Sequence, residues 1–161
     1  MRPDDLEELL NRAGRYTARY EKAPKEVREK LIQWSDGEIS NAEIADILAR
    51  LTDEQFISEE RYAERYVRDK LISLRKGPYL IRRELRQKGI SEEVIERSLE
   101  AVSDKEWLEA LEAYLEPRLE KQRKKAKGGY DLRMRLGGLA YQRGYPQELS
   151  DEVIEQLLEA R

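Results

Sequence analysis

Cysteine and histidine are both absent from the 161 residues of this chain. Without cysteine there can be no disulfide, thiolate nucleophile, iron–sulfur ligand or cysteine-based zinc finger. Without histidine the chain lacks the commonest metal ligand and the side chain best placed to exchange protons near neutrality. Carboxylates, lysines and scattered hydroxyls remain, and no arrangement of them marks an activated nucleophile or base. Acidic pairs such as Asp4-Asp5, Glu59-Glu60 and Glu92-Glu93 fall where first helical turns are expected, so the helix dipole accounts for them. No G-x-x-x-x-G-K-[ST] phosphate loop occurs. The expectation is a non-enzymatic protein with no cofactor and no metal site. Long apolar runs are also missing: nothing approaches the roughly 20 residues of a membrane helix. The first residues, MRPDDLEELL, are acidic and hold no signal-like apolar core. A cytoplasmic protein without a membrane partner is expected.

Charge is abundant. Charged residues make up 40% of the chain and hydrophobic residues 39%. The net charge of −3 is unevenly spread. Residues 1–60 carry 15 acidic and 9 basic side chains, net −6. Residues 68–88 carry 8 basic and 2 acidic, net +6, and residues 118–143 carry 9 basic and 2 acidic, net +7. Two basic blocks in an acidic chain point to a localised anionic partner.

The apolar residues recur at three- and four-residue intervals and never alternate over a strand length, which predicts an all-α chain. Start signals include the capping-box pairs Ser40/Glu43, Thr52/Gln55 and Ser103/Glu106, and the serines Ser58, Ser91 and Ser150 ahead of acidic pairs. Stop signals are Gly77-Pro78, Gly89, Gly128-Gly129 and Gly144. Nine helices follow, near 4–21, 25–35, 41–51, 58–75, 78–88, 91–102, 104–126, 130–143 and 150–160, with a short helical turn over Thr52–Phe56.

Three segments repeat: Ser40–Leu48, Ser91–Leu99 and Ser150–Leu158. They place Ile44, Ile95 and Ile154 in register, as well as Leu48, Leu99 and Leu158. Gln87-Lys88-Gly89-Ile90 and Gln142-Arg143-Gly144-Tyr145 precede the second and third copies. Four and eight residues before those glycines stand Leu85 and Ile81 in one copy, Ala140 and Leu136 in the other. The chain therefore reads as three three-helix repeats, at 1–51 (divergent and acidic), 52–102 (basic) and 103–161. Units this small need neighbours to complete a core, so a stacked, elongated and curved array is expected.

The fifth helix carries the clearest surface signal. Leu80, Ile81 and Leu85 share one side of the wheel; Tyr79, Arg82, Arg83 and Arg86 share the other. With Glu84 as the one acid nearby, this stripe reads as poorly self-neutralised and suited to phosphates, bases or an acidic protein. In the fourth helix Tyr62, Ala63, Tyr66, Val67 and Leu74 form a broad packing face, opposite Arg61, Arg65, Arg68 and Arg75. Lys76 and Lys88 extend the basic surface. A further block, Lys121, Arg123, Lys124, Lys125 and Lys127, exceeds what favourable charge at a helix C-terminus explains. Gly137-Gly138 inside the eighth helix suggests close helix packing.

The run Phe56–Lys70 and the segment Gly77–Ile90 resemble the RecX family. That family shows a helix start with leucine or phenylalanine, isoleucine, an acid, arginine, an aromatic and alanine. A glycine–isoleucine–leucine–glycine-isoleucine segment at four-residue spacing follows, filled here by Gly77, Ile81, Leu85, Gly89 and Ile90. The acid, commonly aspartate in the family, is Glu59 or Glu60. The resemblance is strongest over residues 52–102 and weaker in the outer repeats. It implies a modulator of RecA recombinase that lies along RecA–single-stranded-DNA filaments, blocks their growth or promotes disassembly, and lowers ATPase and strand-exchange activity. The implied partners are the RecA filament and single-stranded DNA, directly or through the filament. A monomer is expected. Two other readings of the residues stay open: a stand-alone helical nucleic-acid-binding regulator of helix-turn-helix type, and a protein-interaction scaffold.

Overall fold

Three of the five prolines stand at the first position of a helix, where their missing N–H breaks no intrahelical bond. In the computed structural model, which describes residues 1–160, they open α1 (Pro3–Arg19), α2 (Pro24–Trp34) and α5 (Pro78–Gln87). The other helices are α3 (Asn41–Asp53), α4 (Glu59–Ser73), α6 (Glu92–Glu100), α7 (Asp104–Leu115), α8 (Leu119–Lys125), α9 (Gly129–Gln142) and α10 (Gln147–Glu159). A 3₁₀ turn, Glu116–Arg118, links α7 to α8. No strand occurs among the described residues, and the all-α expectation holds.

Serine caps work as the spacing suggests at Ser40, Ser58 and Ser103, whose hydroxyls accept from the N–H groups of Glu43, Arg61 and Glu106. The Ser40 cap is a full box, with Glu43 accepting from the Ser40 N–H at 2.9 Å. Two expected starts are corrected. Thr52 caps nothing: it lies in the last turn of α3, its hydroxyl donating to the Leu48 carbonyl. Thr52–Phe56 is thus the end of α3, closed by Gln55 at φ 63° and by a Phe56 N–H to Leu51 carbonyl bond of 2.8 Å. Ser150 is a buried interior residue of α10, which starts earlier because Pro146 is its extended N-cap and Glu148 lies in its first turn. The expected helix 104–126 is also divided. Pro117 has no N–H to continue the α ladder, so the chain tightens into the 3₁₀ turn before α8.

The repeat register survives in three dimensions. Ile44, Ile95 and Ile154 are all buried, and so are Ile81, Leu85, Leu136 and Ala140. Helices α5 and α9 end in the same motif. Gly89 (φ 81°) and Gly144 (φ 96°) take the left-handed turn, and the N–H groups of Ile90 and Tyr145 reach back to Leu85 and Ala140 at 3.1 Å.

By packing, the described chain forms two compact units, residues 1–64 with 85–95, and residues 65–84 with 96–161. The division passes through α4, α5 and α6. In the first unit α1, α2 and α3 pack mutually around Leu10, Ala13, Val27, Leu31, Ile44 and Leu51. An edge-to-face Tyr16–Trp34 pair borders that core, with the Arg12 guanidinium 4.4 Å from the Trp34 ring. In the second unit α9 packs on α7, α8 and α10. Leu111, Leu115, Leu119, Leu136 and Tyr145 are fully buried there.

Gly137 and Gly138 do not mediate close helix packing. Helix α9 runs through them without interruption, and a β-carbon on either would meet nothing within 4 Å. Leu74 is not part of the packing face of α4 either: it lies beyond the helix end and is largely exposed.

Candidate functional site

The basic residues fall into two groups, those held in ion pairs and those left free. In the middle of the chain the first group includes residues of α4, α5 and the loop between them. Arg61 binds Glu21 at 2.8 Å and also donates to the Gln55 carbonyl. Arg68 binds Glu106 at 2.6 Å, Lys76 binds Glu84 at 2.6 Å, and Arg82 forks onto Glu96 with bonds of 2.7 and 3.3 Å. Arg86 pairs in the same way with Glu92. The fifth-helix stripe is therefore more neutralised than its own sequence suggests. Its acids, Glu92 and Glu96, come from α6, which only the fold brings within reach. Lys88 follows α5, with its N–H bound to the Leu85 carbonyl.

Glu84 is the most integrated of these acids. Burial pushes its carboxyl up, but the Lys76 ammonium and the Tyr66 hydroxyl, which donates to it at 2.7 Å, outweigh burial and hold it below the usual carboxylate range. Its ionised form thus ties the α4 and α5 segments of the second unit to the intervening loop. Arg75 lies in that loop at φ 54°, and its carbonyl accepts the Tyr145 hydroxyl at 2.8 Å. The Arg143 guanidinium donates to the Leu74 carbonyl. The loop between α4 and α5 is thereby clamped by the end of α9.

Among the candidate residues, those both exposed and free of an acid are Arg65, Arg83, Lys121, Lys124, Lys125 and Lys127. Among the described residues none of their side chains lies within 4 Å of an acid. All six are exposed. Arg123 is half-buried, 3.7 Å from Glu120. Asp131 accepts the Lys127 N–H at 2.8 Å and pairs with Arg135; both hold its carboxyl below the ordinary aspartate range. Asp131 thereby anchors the turn after α8 and leaves the Lys127 ammonium free.

Tyr79 is 54% exposed, with the Arg82 guanidinium 5.6 Å from its ring. It lines an open pocket of about 360 Å³ with Leu80, Arg83, Tyr141, Gln142 and Gly144. Tyr141 and Gln142 are not in the sequence-based set. Tyr141, 78% exposed, could have been found on a wheel of α9, where it lies off the buried Leu132–Leu136–Ala140 stripe.

No group of His, Cys, Asp or Glu side chains among the described residues could hold a metal ion, and no helix among them is long and apolar enough to cross a membrane. Amphipathic helices with buried apolar faces, and outer faces rich in arginine and lysine, define an all-α protein.

Comparison with known proteins places it more closely. Residues 58–99 match the family model described as RecX, second three-helix domain. The chain is 36% identical over 115 residues to a regulatory protein RecX of Geobacillus sp., covering 71% of this chain and 42% of that one. It is 30% identical over 154 residues to the regulatory protein RecX of Levilactobacillus brevis, covering 96% of this chain and 56% of that one. The crystal structure of RecX from Lactobacillus salivarius superposes with a TM-score of 0.85 at 27% identity, over 96% of this chain and 97% of that one. The chain belongs to the RecX family of regulatory proteins. It spans about half the length of these curated relatives.

Proposed function

We propose that this chain is a non-enzymatic regulator of a RecA-type recombinase, which binds the filament of that recombinase on single-stranded DNA. By occupying the filament it lowers assembly, ATP hydrolysis and strand exchange, acting as a monomer in the cytoplasm. Family membership supports this reading. The observation that carries it is the set of exposed candidate cations that have no acidic partner among the described residues: Arg65, Arg83 and the lysines at 121, 124, 125 and 127. Free cations can neutralise phosphates at once. Arg61, Arg68, Arg82 and Arg86 would first have to leave an acid, for which a surface ion pair offers only about 0–1 kcal/mol of resistance; Lys76 is held more firmly, in a largely buried pair with Glu84. These paired residues, with Arg75, Tyr79, Lys88 and Arg123, form the secondary part of the surface. The three repeats, 1–51, 52–102 and 103–161, are proposed as its functional subdivisions, with the middle one supported by the family match at 58–99.

The test is a RecA ATPase assay on single-stranded DNA with the chain added below the concentration of RecA. Inhibition is expected. It should weaken when Lys121, Lys124, Lys125 and Lys127 are replaced together by glutamine. Undiminished ATPase activity at saturating protein would overturn the proposal. Binding to duplex DNA without recombinase would point instead to a stand-alone DNA-binding regulator.

A further inference from the structure

In the second unit the start of α5 and the end of α9 meet backbone to backbone. The Gly77 N–H donates to the Arg143 carbonyl at 2.8 Å, and the Tyr79 N–H to the Gly144 carbonyl at 2.9 Å. The approach is so close that a β-carbon on Gly77 would lie 2.5 Å from the Gly144 carbonyl oxygen, and one on Gly144 would lie 2.5 Å from the Leu80 β-carbon. Two helix ends joined this way form a stiff floor. Above it opens the pocket of about 360 Å³ lined by Tyr79, Leu80, Arg83, Tyr141, Gln142 and Gly144.

The lining has a specific chemistry. Two tyrosine rings are 54% and 78% exposed, although burial would stabilise both. Arg83 is the one charged side chain in the lining, and among the described residues it has no acidic partner. Gln142 contributes an amide able to donate and accept. Arg82 is fixed by two bonds to Glu96 beside the Tyr79 ring, which steadies that ring from outside the pocket. The volume is within the range of small-ligand pockets, about 300–1,000 Å³. Exposed aromatic rings beside an unpaired arginine match an unstacked base carrying its own phosphate. A duplex offers no free base face, and an acidic peptide would leave both rings without a stacking partner.

We propose that Tyr79, Arg83, Tyr141 and Gln142 form a stacking site for one unpaired nucleobase of a single strand. The tyrosines hold the base and Arg83 holds the adjacent phosphate. Recognition is sequence-tolerant, because every base has a π-face. The proposal rests on the reading of this chain as a partner of single-stranded DNA and names the residues that would touch a base.

The experiment measures fluorescence anisotropy of labelled oligothymidylate, and of an abasic oligomer of equal length, with the full chain at low salt. The wild-type protein should prefer the base-bearing oligomer by about 5- to 100-fold, the range expected for one stacked base. Tyr141→Ala should bring that preference close to one while leaving abasic binding and salt dependence unchanged; Tyr141→Phe should retain the preference. Arg83→Gln should weaken both oligomers and flatten the log–log salt slope by about 0.7. If a Tyr79→Ala/Tyr141→Ala variant with wild-type helicity keeps the full preference, the stacking site is overturned while DNA binding stands. Equal wild-type affinity for both oligomers has the same consequence. If the wild-type protein binds neither oligomer, the single-strand reading fails and the site fails with it. Displacement of oligothymidylate by polyglutamate as effective as by unlabelled oligomer, and dependent on Tyr141, would also overturn the proposal, in favour of a protein partner.

Discussion

Replacing Gly144 with alanine should damage the second unit more than its one added methyl suggests. Gly144 sits at φ 96°, where a residue with a β-carbon is strained by about 1–2 kcal/mol. The new β-carbon would lie 2.5 Å from the Leu80 β-carbon and 2.6 Å from the Leu80 backbone nitrogen. The nitrogen belongs to the first turn of α5 and cannot swing aside as a flexible side chain would. Overpacking of this kind costs about 1–3 kcal/mol. The two effects together give a loss of about 2–5 kcal/mol, before any weakening of the Gly77 and Tyr79 N–H bonds to the end of α9. For a chain of this size that corresponds to a fall in melting temperature of roughly 5–20 °C. Trp107 is a natural reporter, buried in the second unit with its ring edge-to-face 6.5 Å from Tyr145, the residue after Gly144. Urea unfolding of Gly144→Ala should be followed by Trp107 fluorescence in a Trp34→Phe background, since Trp34 reports on the first unit. A loss of no more than about 1–2 kcal/mol would show that the α5–α9 backbone contact is not as close as described, because strain at the turn alone accounts for that much.

Gly137→Ala is the complementary case: with open space around its missing β-carbon, it should stabilise α9 by about 0.5–1 kcal/mol in the same assay. Leu85→Ala, at a fully buried site, should cost about 2–5 kcal/mol, and unchanged melting would contradict that burial. Burial, then the nearby Glu26 carboxylate, pushes the Tyr62 hydroxyl up to about 12. The folded state therefore holds this proton where the unfolded state has released it, so its contribution is complete below about pH 10 and is lost as pH rises towards 12. A Tyr62→Phe variant should show a shallower alkaline loss in a urea-midpoint series across that window. Glu84 behaves oppositely. Its carboxyl is held low by Lys76 and Tyr66 against burial, so its contribution is present above its ordinary range and lost on acidification through the lowered value, a step that Glu84→Gln should remove from the acid limb.

Much of the fold was legible because periodicity and punctuation act locally. The spacing of Ile81, Leu85, Ile95 and Leu99 located the buried face of the middle repeat, and all four are buried. The glycines after α5 and α9 were recognisable stops, and both adopt the left-handed turn. The errors have local causes as well. Ser150 resembled its counterparts at 40 and 91, but Pro146 starts α10 a turn earlier, while Pro117 divides a helix whose apolar spacing continues across it. Gly137-Gly138 suggests close packing in the sequence but faces open space in the fold, because a missing side chain is the same symbol whether a neighbour or solvent occupies the space.

The sequence by itself determined the helical class, the repeat register, the buried stripe of each repeat and the absence of cysteine and histidine chemistry. These depend on residue identity and on the 3.6-residue period, which act within one or two turns. Only the tertiary structure decided which cations are free. Glu96 lies 14 residues from Arg82 and Glu106 lies 38 residues from Arg68, and charge counts along a single helix cannot see either pairing. It also decided that Tyr141 stands beside Tyr79 and Arg83. That proximity arises from two backbone hydrogen bonds and a pair of glycines, at positions 77 and 144, that let two helix ends meet where any side chain would hold them apart.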